Sequence, residues 1–259
     1  MKLEACTIAI RERSLTELFD LAIPVTLRHA WRLPLLALPG LVLLLPGWWL
    51  LRTTNDSDWH TVWLAWTWMV AVAPLGTAAL SVYLGHALFE RQPSLRTAFA
   101  LAGARVLALV FLTLLRAVLA ISLIGMLLWP LFWSECLLLE RQGPGAAWTR
   151  GRQLAGADAG RTTGLMALTA LLLVVGLPLV AYGLVELHGV IDTGVMMQHD
   201  LTGWLNPGRS VLPWLLAWVA TIGLTVVRYL AYLDARTRRE GWEVEVALRR
   251  AAVGMGVGE

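Results

Sequence analysis

The chain has 259 residues, 58% of them hydrophobic and 15% charged, with a formal net charge of +3 and a mean hydropathy of +0.65. That is too little polar surface to coat a soluble globule of this size, so lipid is the expected solvent for most of it. Its arginines lie in short clusters beside apolar runs, with no basic face interleaved with aromatics, which argues against nucleic acid and for anionic headgroups as the counter-charge.

In chain order, Ser14-Leu15-Thr16-Glu17 fits a capping box, in which Ser and Glu satisfy free backbone amides at a helix start. Leu15, Leu18, Phe19 and Ala22 then share one face. This helix is expected either to lie on the bilayer until Pro24 bends it or to pack on the ends of other spans. No small-residue cleavage site follows a charged start, so the N-terminus is expected to be retained.

A helix crossing a hydrocarbon core about 30 Å thick needs about 20 mainly apolar residues. Residues 33 to 51, 62 to 84, 163 to 185 and 211 to 233 meet that requirement. The stretch from Val106 to Leu139 is too long for one span, and Gly125 and Pro130 supply a reversal within it. It reads as a third and fourth span of about 17 residues each, or as one kinked or re-entrant element. The expected fold is all-α, a polytopic membrane bundle of six transmembrane helices with short cytoplasmic amphipathic helices. A single integral membrane domain covers 1–259: a cytoplasmic amphipathic entry at 1–32, a six-span bundle at 33–233 and a cytoplasmic basic tail at 234–259. Leu95, Ala98, Phe99 and Ala102 form a second amphipathic face before the third span, and Trp148, Arg152 and Ala155 a weaker one before the fifth.

Positive charge alternates along this frame. Of the 21 Lys and Arg residues, five fall within 1–32, three within 85–105, four within 140–162 and five after Leu233. Arg52 and Arg209 lie in the intervening loops, while Arg116 and Arg228 lie within spans. The positive-inside rule therefore places both termini in the cytoplasm, as expected of a multi-pass protein of the cytoplasmic membrane. Trp48, Trp49, Trp59, Trp63, Trp66 and Trp68 bracket the first outer loop, and Trp204, Trp214 and Trp218 the second, where indole rings favour the headgroup level. A faint repeat joins Phe89-Glu90-Arg91-Gln92-Pro93 to Leu139-Glu140-Arg141-Gln142-Gly143-Pro144, with Ile10 to Ser14 a poorer echo, suggesting three helix-plus-hairpin units.

Charges inside a membrane are expensive, about 2.5–3.5 kcal/mol each on insertion scales, which singles out Arg116 and Glu135. With a turn near Ile124 they lie ~12 Å and ~16 Å along adjoining helices and could pair across the hairpin. Such a pair either locks the two helices together or lines a polar cavity. Glu186, His188, Asp192, His199 and Asp200 gather at the second outer loop. His188, Asp192 and His199 could suit zinc, but the spacing matches no strong signature and no metal is expected. Cys6 and Cys136 show no CxxC spacing and no disulfide is expected. A serine elbow, P-loop or dinucleotide fingerprint is absent, so neither a cofactor nor an enzymatic role is expected. Gly156, Gly160 and Gly164, and Ala73, Thr77, Ser81 and Gly85, recur every fourth residue as surfaces for close helix packing. The tail arginines Arg236, Arg238 and Arg239 are expected to meet anionic lipid or a partner.

Leu137 to Leu154 (LLLERQGPGAAWTRGRQL), Arg228 to Leu248 (RYLAYLDARTRREGWEVEVAL) and the opening RERSLTELFDLAIPVTLRHAW carry a resemblance covering nearly the whole chain. They are similar to a broad group of bacterial six-span membrane proteins related to the membrane domain of some glycerophosphoryl diester phosphodiesterases and to YciC-like proteins. The phosphodiesterase activity of that group belongs to a separate soluble barrel that nothing here supplies. The resemblance implies a multi-protein envelope assembly, with a MoxR-type ATPase and transglutaminase-like proteins as partners. The expected role is a non-enzymatic scaffold or partner subunit. The alternative is a small transporter or lipid-handling protein with a polar pocket around Arg116 and Glu135.

Overall fold

The computed structural model describes residues 13–53, 59–87, 93–121, 131–156, 158–171, 180 and 211–240. Among them, all regular structure is helical: α1 (Leu15–Arg28), α2 (Arg32–Thr53), α3 (Trp59–Gly76), α4 (Ala78–Ala87), α5 (Leu95–Gly103), α6 (Val106–Ile121), α7 (Trp133–Leu139), α8 (Pro144–Gly156), α9 (Ala159–Leu171) and α10 (Leu212–Glu240).

The last helix organises the rest. Trp214, Ala217, Trp218, Ile222, Val226, Tyr229 and Leu233 recur every three or four residues on α10 and are all buried. Along its length α10 packs against α2, α4, α8 and α1. In α2, Leu33, Leu36, Ala37, Gly40, Leu44, Gly47 and Leu51 turn inward, while Leu35, Leu38, Val42, Leu45 and Trp49 are exposed along the opposite side. In α6 the inward side carries Leu109, Leu112 and Thr113 and the exposed stripe runs Leu107, Phe111, Leu114 and Val118, with Leu107 84% exposed. Contiguous apolar stripes of this length are a liability in water and an asset in lipid.

Two helices, α2 and α10, are long and apolar enough to cross a membrane, or up to four if each of two bent pairs is one span. The expected second span is the first bent pair, broken by 41° at Thr77 between α3 and α4. Pro74 lies inside α3 and Gly76 at its end, and the missing Pro amide with its ring clash loosens the ladder there. The second pair, α5 and α6, meets at 66°. The sharpest turn expected in the chain, at Gly125 to Pro130, lies outside the described residues, as do most of the fifth span and both segments after Glu240 and before Arg13.

The capping box stands as expected: the Glu17 amide donates to Ser14 Oγ at 3.2 Å and the Ser14 amide to Glu17 Oε2 at 3.0 Å. Pro24 does not end the helix, which runs on to Arg28. Of the two placements open to α1, the structure has it packed on α10 and α9, burying Leu18 and Ala22. Its other side leaves Ile23 and Leu27 exposed.

The three expected helix-plus-hairpin units share a register. Backbone amides of Leu18, Ala98 and Ala147 close the first turns onto the carbonyls of Ser14, Ser94 and Gly143. Four and eight residues after each of those starts, Leu18 and Ala22, Ala98 and Ala102, and Ala147 and Gly151 are buried. The first two short helices, α1 and α5, then give way to longer ones, α2 and α6.

The small residues divide. Thr77, at the break before α4, and Ser81 within it are buried, and a Cβ on Gly85 would stand 2.7 Å from Leu139 Cδ2. Gly164 packs on Leu15, but nothing lies within 4 Å of a Cβ at Gly156, so that stripe is not a continuous packing face. Trp214 and Trp218 also depart from expectation, being buried core residues of α10 and not interface anchors. Trp218 fills a notch where Gly40 of α2 and Gly76 of α3 face each other. Trp49, by contrast, is exposed.

Candidate functional site

Three acidic side chains at low exposure are each held by arginines from distant parts of the chain. Glu135 is the deepest, with 0% exposure. Arg228 of α10 donates from Nε to its Oε1 at 2.5 Å, and the Ser134 hydroxyl donates to its Oε2 at 2.9 Å. Arg116, on the inward side of α6, interacts electrostatically with both Glu135 and Arg228. The pair expected across the hairpin is therefore a triad, with the direct ion pair running from α7 to α10.

Glu140, just past α7, is the second. Its Oε1 accepts from the Tyr232 hydroxyl at 2.7 Å, and its Oε2 accepts from Gln142 at 2.9 Å and from Arg150 Nε at 3.3 Å. Arg236 stands 4.0 Å away. Asp234 is the third and lies at the meeting of α1, α9 and α10. It accepts the Arg13 amide at 2.8 Å on Oδ1, and Arg161 and Arg238 at 3.0 Å each on Oδ2. The carbonyl of Arg13 in turn accepts from Arg161 and from Arg238 Nη2. The entry to α1 is thus strapped to α9 and α10 by charge-assisted bonds, the stronger kind.

These bonds relocate the expected tail contacts. Arg238 is tied to Asp234 and Arg13, and Arg239 donates to the Gln153 carbonyl, so both engage this chain itself. Arg236 lies over the Tyr232 ring at 5.9 Å. His188, Asp192 and His199 lie outside the described residues, among which no group of three metal-capable side chains gathers. Glu140, Asp234 and Arg228 were not singled out from the sequence as site residues. A charge count held the clue for Arg228: two arginines and one carboxylate lie within the spans, so Glu135 was bound to attract both.

A fourth polar chain joins α1 to α4 through the α1–α2 turn. Arg32 Nη1 donates to the Tyr83 oxygen at 3.0 Å, and the Tyr83 hydroxyl and His29 Nδ1 share a second hydrogen bond, also at 3.0 Å. Burial first, then the charges of Arg28 and Arg32, hold the His29 pKa below its ordinary value. A base with a lowered folded pKa binds fewer protons folded than unfolded, so its stabilising effect is full above about pH 6.5 and is lost as pH falls below it. Purified protein should melt at a lower temperature near pH 5 than near pH 7.5, and His29→Gln should flatten that slope. An unchanged slope in the variant would remove His29 as its source.

The described residues define a class by architecture: an all-α protein with helices long and apolar enough to cross a membrane. No family model, no curated protein and no solved structure matches this chain.

Proposed function

We propose that this chain is a six-span protein of a bacterial inner membrane, with both termini cytoplasmic, that serves as a non-enzymatic scaffold or partner subunit of an envelope assembly. The observation that carries the reading is the use of the charged groups. Glu135, Glu140 and Asp234 each pair with an arginine from a segment far away in sequence, Arg228, Arg236 and Arg161, a use of charge that fastens helices together. The chain resembles the membrane domain of glycerophosphoryl diester phosphodiesterases and YciC-like proteins, which favours a MoxR-type ATPase and transglutaminase-like proteins as companions. The remaining two spans of the six are the segments containing α7 and α9.

Mild detergent extraction of the tagged full chain, after brief crosslinking, should recover a companion at fixed stoichiometry. Purification alone, together with water access to the membrane midplane, would instead favour a transporter or lipid-handling protein with its pocket around Arg116 and Glu135. That second reading draws on one observation: two guanidinium groups meet a single carboxylate there, and Arg228 Nη2 has no hydrogen-bond partner among the described residues.

A further inference from the structure

Two half-open grooves of about 510 Å³ each flank the Arg-rich end of α10, and they differ in charge. The first, between α1, α9 and α10, carries Asp158 and Asp234 beside Arg161, Arg238 and Arg239, so cations and anions answer each other within the wall. The second lies between α4, α5, α7 and α10. Its polar wall holds Arg105, Arg141, Arg236 and His86 with no carboxylate among the described lining residues, and its floor is apolar, including Val82 and Leu101.

Arg105 and Arg141 have no carboxylate partner among the described residues, whereas Arg236 pairs with Glu140 at 4.0 Å. Arg105 spends its guanidinium on two backbone oxygens, the carbonyls of Arg141 at 2.8 Å and Gln142 at 3.3 Å, and on no carboxylate among the described residues. This neutral anchorage fixes the position of the charge and leaves it uncompensated. It also pins a strained turn: Arg141 is the one described non-glycine residue with positive φ, 54°. A left-handed conformation costs a side-chain-bearing residue about 1–2 kcal/mol, and here it places an exposed arginine on the rim of the groove. Glu140, next to Arg141 in sequence, is bound to Arg150, Gln142 and Tyr232 and pairs with Arg236 at 4.0 Å. Beyond Arg105 the chain enters α6, whose exposed apolar stripe begins at Leu107.

A cationic rim over an apolar floor, opening beside a lipid-facing stripe, matches one chemistry: an anionic headgroup joined to acyl chains. We propose that this groove is a binding site for a single anionic phospholipid of the surrounding bilayer, its phosphate between Arg105 and Arg141 and its first chain segment over Val82 and Leu101. Planar guanidinium forks suit phosphate oxygens in pairs. The inference rests on the membrane reading and not on the scaffold role.

The test uses the full chain purified in detergent and titrated with phosphatidylglycerol or phosphatidylcholine of identical chains, read by native mass spectrometry and by thermal unfolding. One phosphatidylglycerol should stay bound and raise the melting temperature, while phosphatidylcholine does neither. Arg141→Gly removes a cation at a position whose backbone glycine adopts without strain, so the lipid-free protein should melt no lower than wild type, with phosphatidylglycerol affinity down about tenfold, the loss of one charge-assisted bond. Ala104→Trp, which fills the groove from its rim, should abolish retention with the cations intact. Equal binding of the two lipids would overturn the proposal, as would wild-type affinity in both variants. Glycerol phosphate binding as tightly as the lipid would also overturn it, by showing that the chains play no part. A chain recovered in soluble form without detergent would sink the membrane reading itself, which is a separate result.

Discussion

Replacing Glu135 with glutamine is expected to destabilise the protein by about 3–5 kcal/mol, the usual penalty for stripping one partner from a buried ion pair. The geometry argues for the upper part of that range. Glu135 has no solvent exposure, Arg228 is bound to it at 2.5 Å, and Arg116 shares its field, so the substitution leaves two guanidinium charges facing each other without a carboxylate. Removing Arg228 as well should return part of the loss, because Glu135→Gln with Arg228→Met leaves one charge in place of two. Thermal unfolding of the detergent-solubilised single and double variants measures both steps. A Glu135→Gln protein that inserts and melts like wild type, yet loses function, would turn the site from a clamp into a working pocket.

The second large effect is expected where Trp218 wedges between two glycines. A Cβ on Gly40 would stand 1.9 Å from Trp218 Cζ2 and 2.1 Å from Cη2, well inside contact distance. A Cβ on Gly76 would stand 2.6 Å from Trp218 Cη2 and 2.7 Å from the Gly40 Cα. Overpacking of this kind costs about 1–3 kcal/mol, and more where backbone must move. The two sites therefore separate under a second change. Trp218→Ala, itself a loss of about 3–5 kcal/mol, should make Gly40→Ala nearly harmless in its background, since only the indole crowds that position below 3 Å. Gly76→Ala should stay damaging there, because its closest obstacle besides the ring is main chain. Melting temperatures of the three single variants and the two doubles decide it. Additive losses at Gly40 would mean that the indole moves aside.

Reading the sequence was most successful where a signal is local. The Ser14 and Glu17 capping box and the amphipathic faces that start at Leu15 and Leu95 follow from residues within a turn or two of one another, where hydrogen-bond reach and a 3.6-residue period leave few options. Tryptophan placement shows the limit of such reasoning. Trp214 and Trp218 sit near a span end as interfacial residues would, yet both are core, because glycines 40, 47 and 76, far away in the chain, open the space that indoles fill. The site divides similarly. Glu135 and Arg116 stood out because charge in a span is costly in any fold, whereas the choice of Arg228 as direct partner depended on α10 passing behind α7.

Apolar content and arginine spacing by themselves determined that helices would dominate, that several would be long enough for a bilayer, and which faces would seek neighbours. Only tertiary structure decided which carboxylate meets which arginine, that α1 docks on α10 by way of Asp234, and that one groove gathers three arginines with no carboxylate among its described lining residues. Lipid burial is a property of composition, felt residue by residue. Ion pairing and groove formation depend on distances between segments more than 90 residues apart, and those distances exist only once the helices have packed.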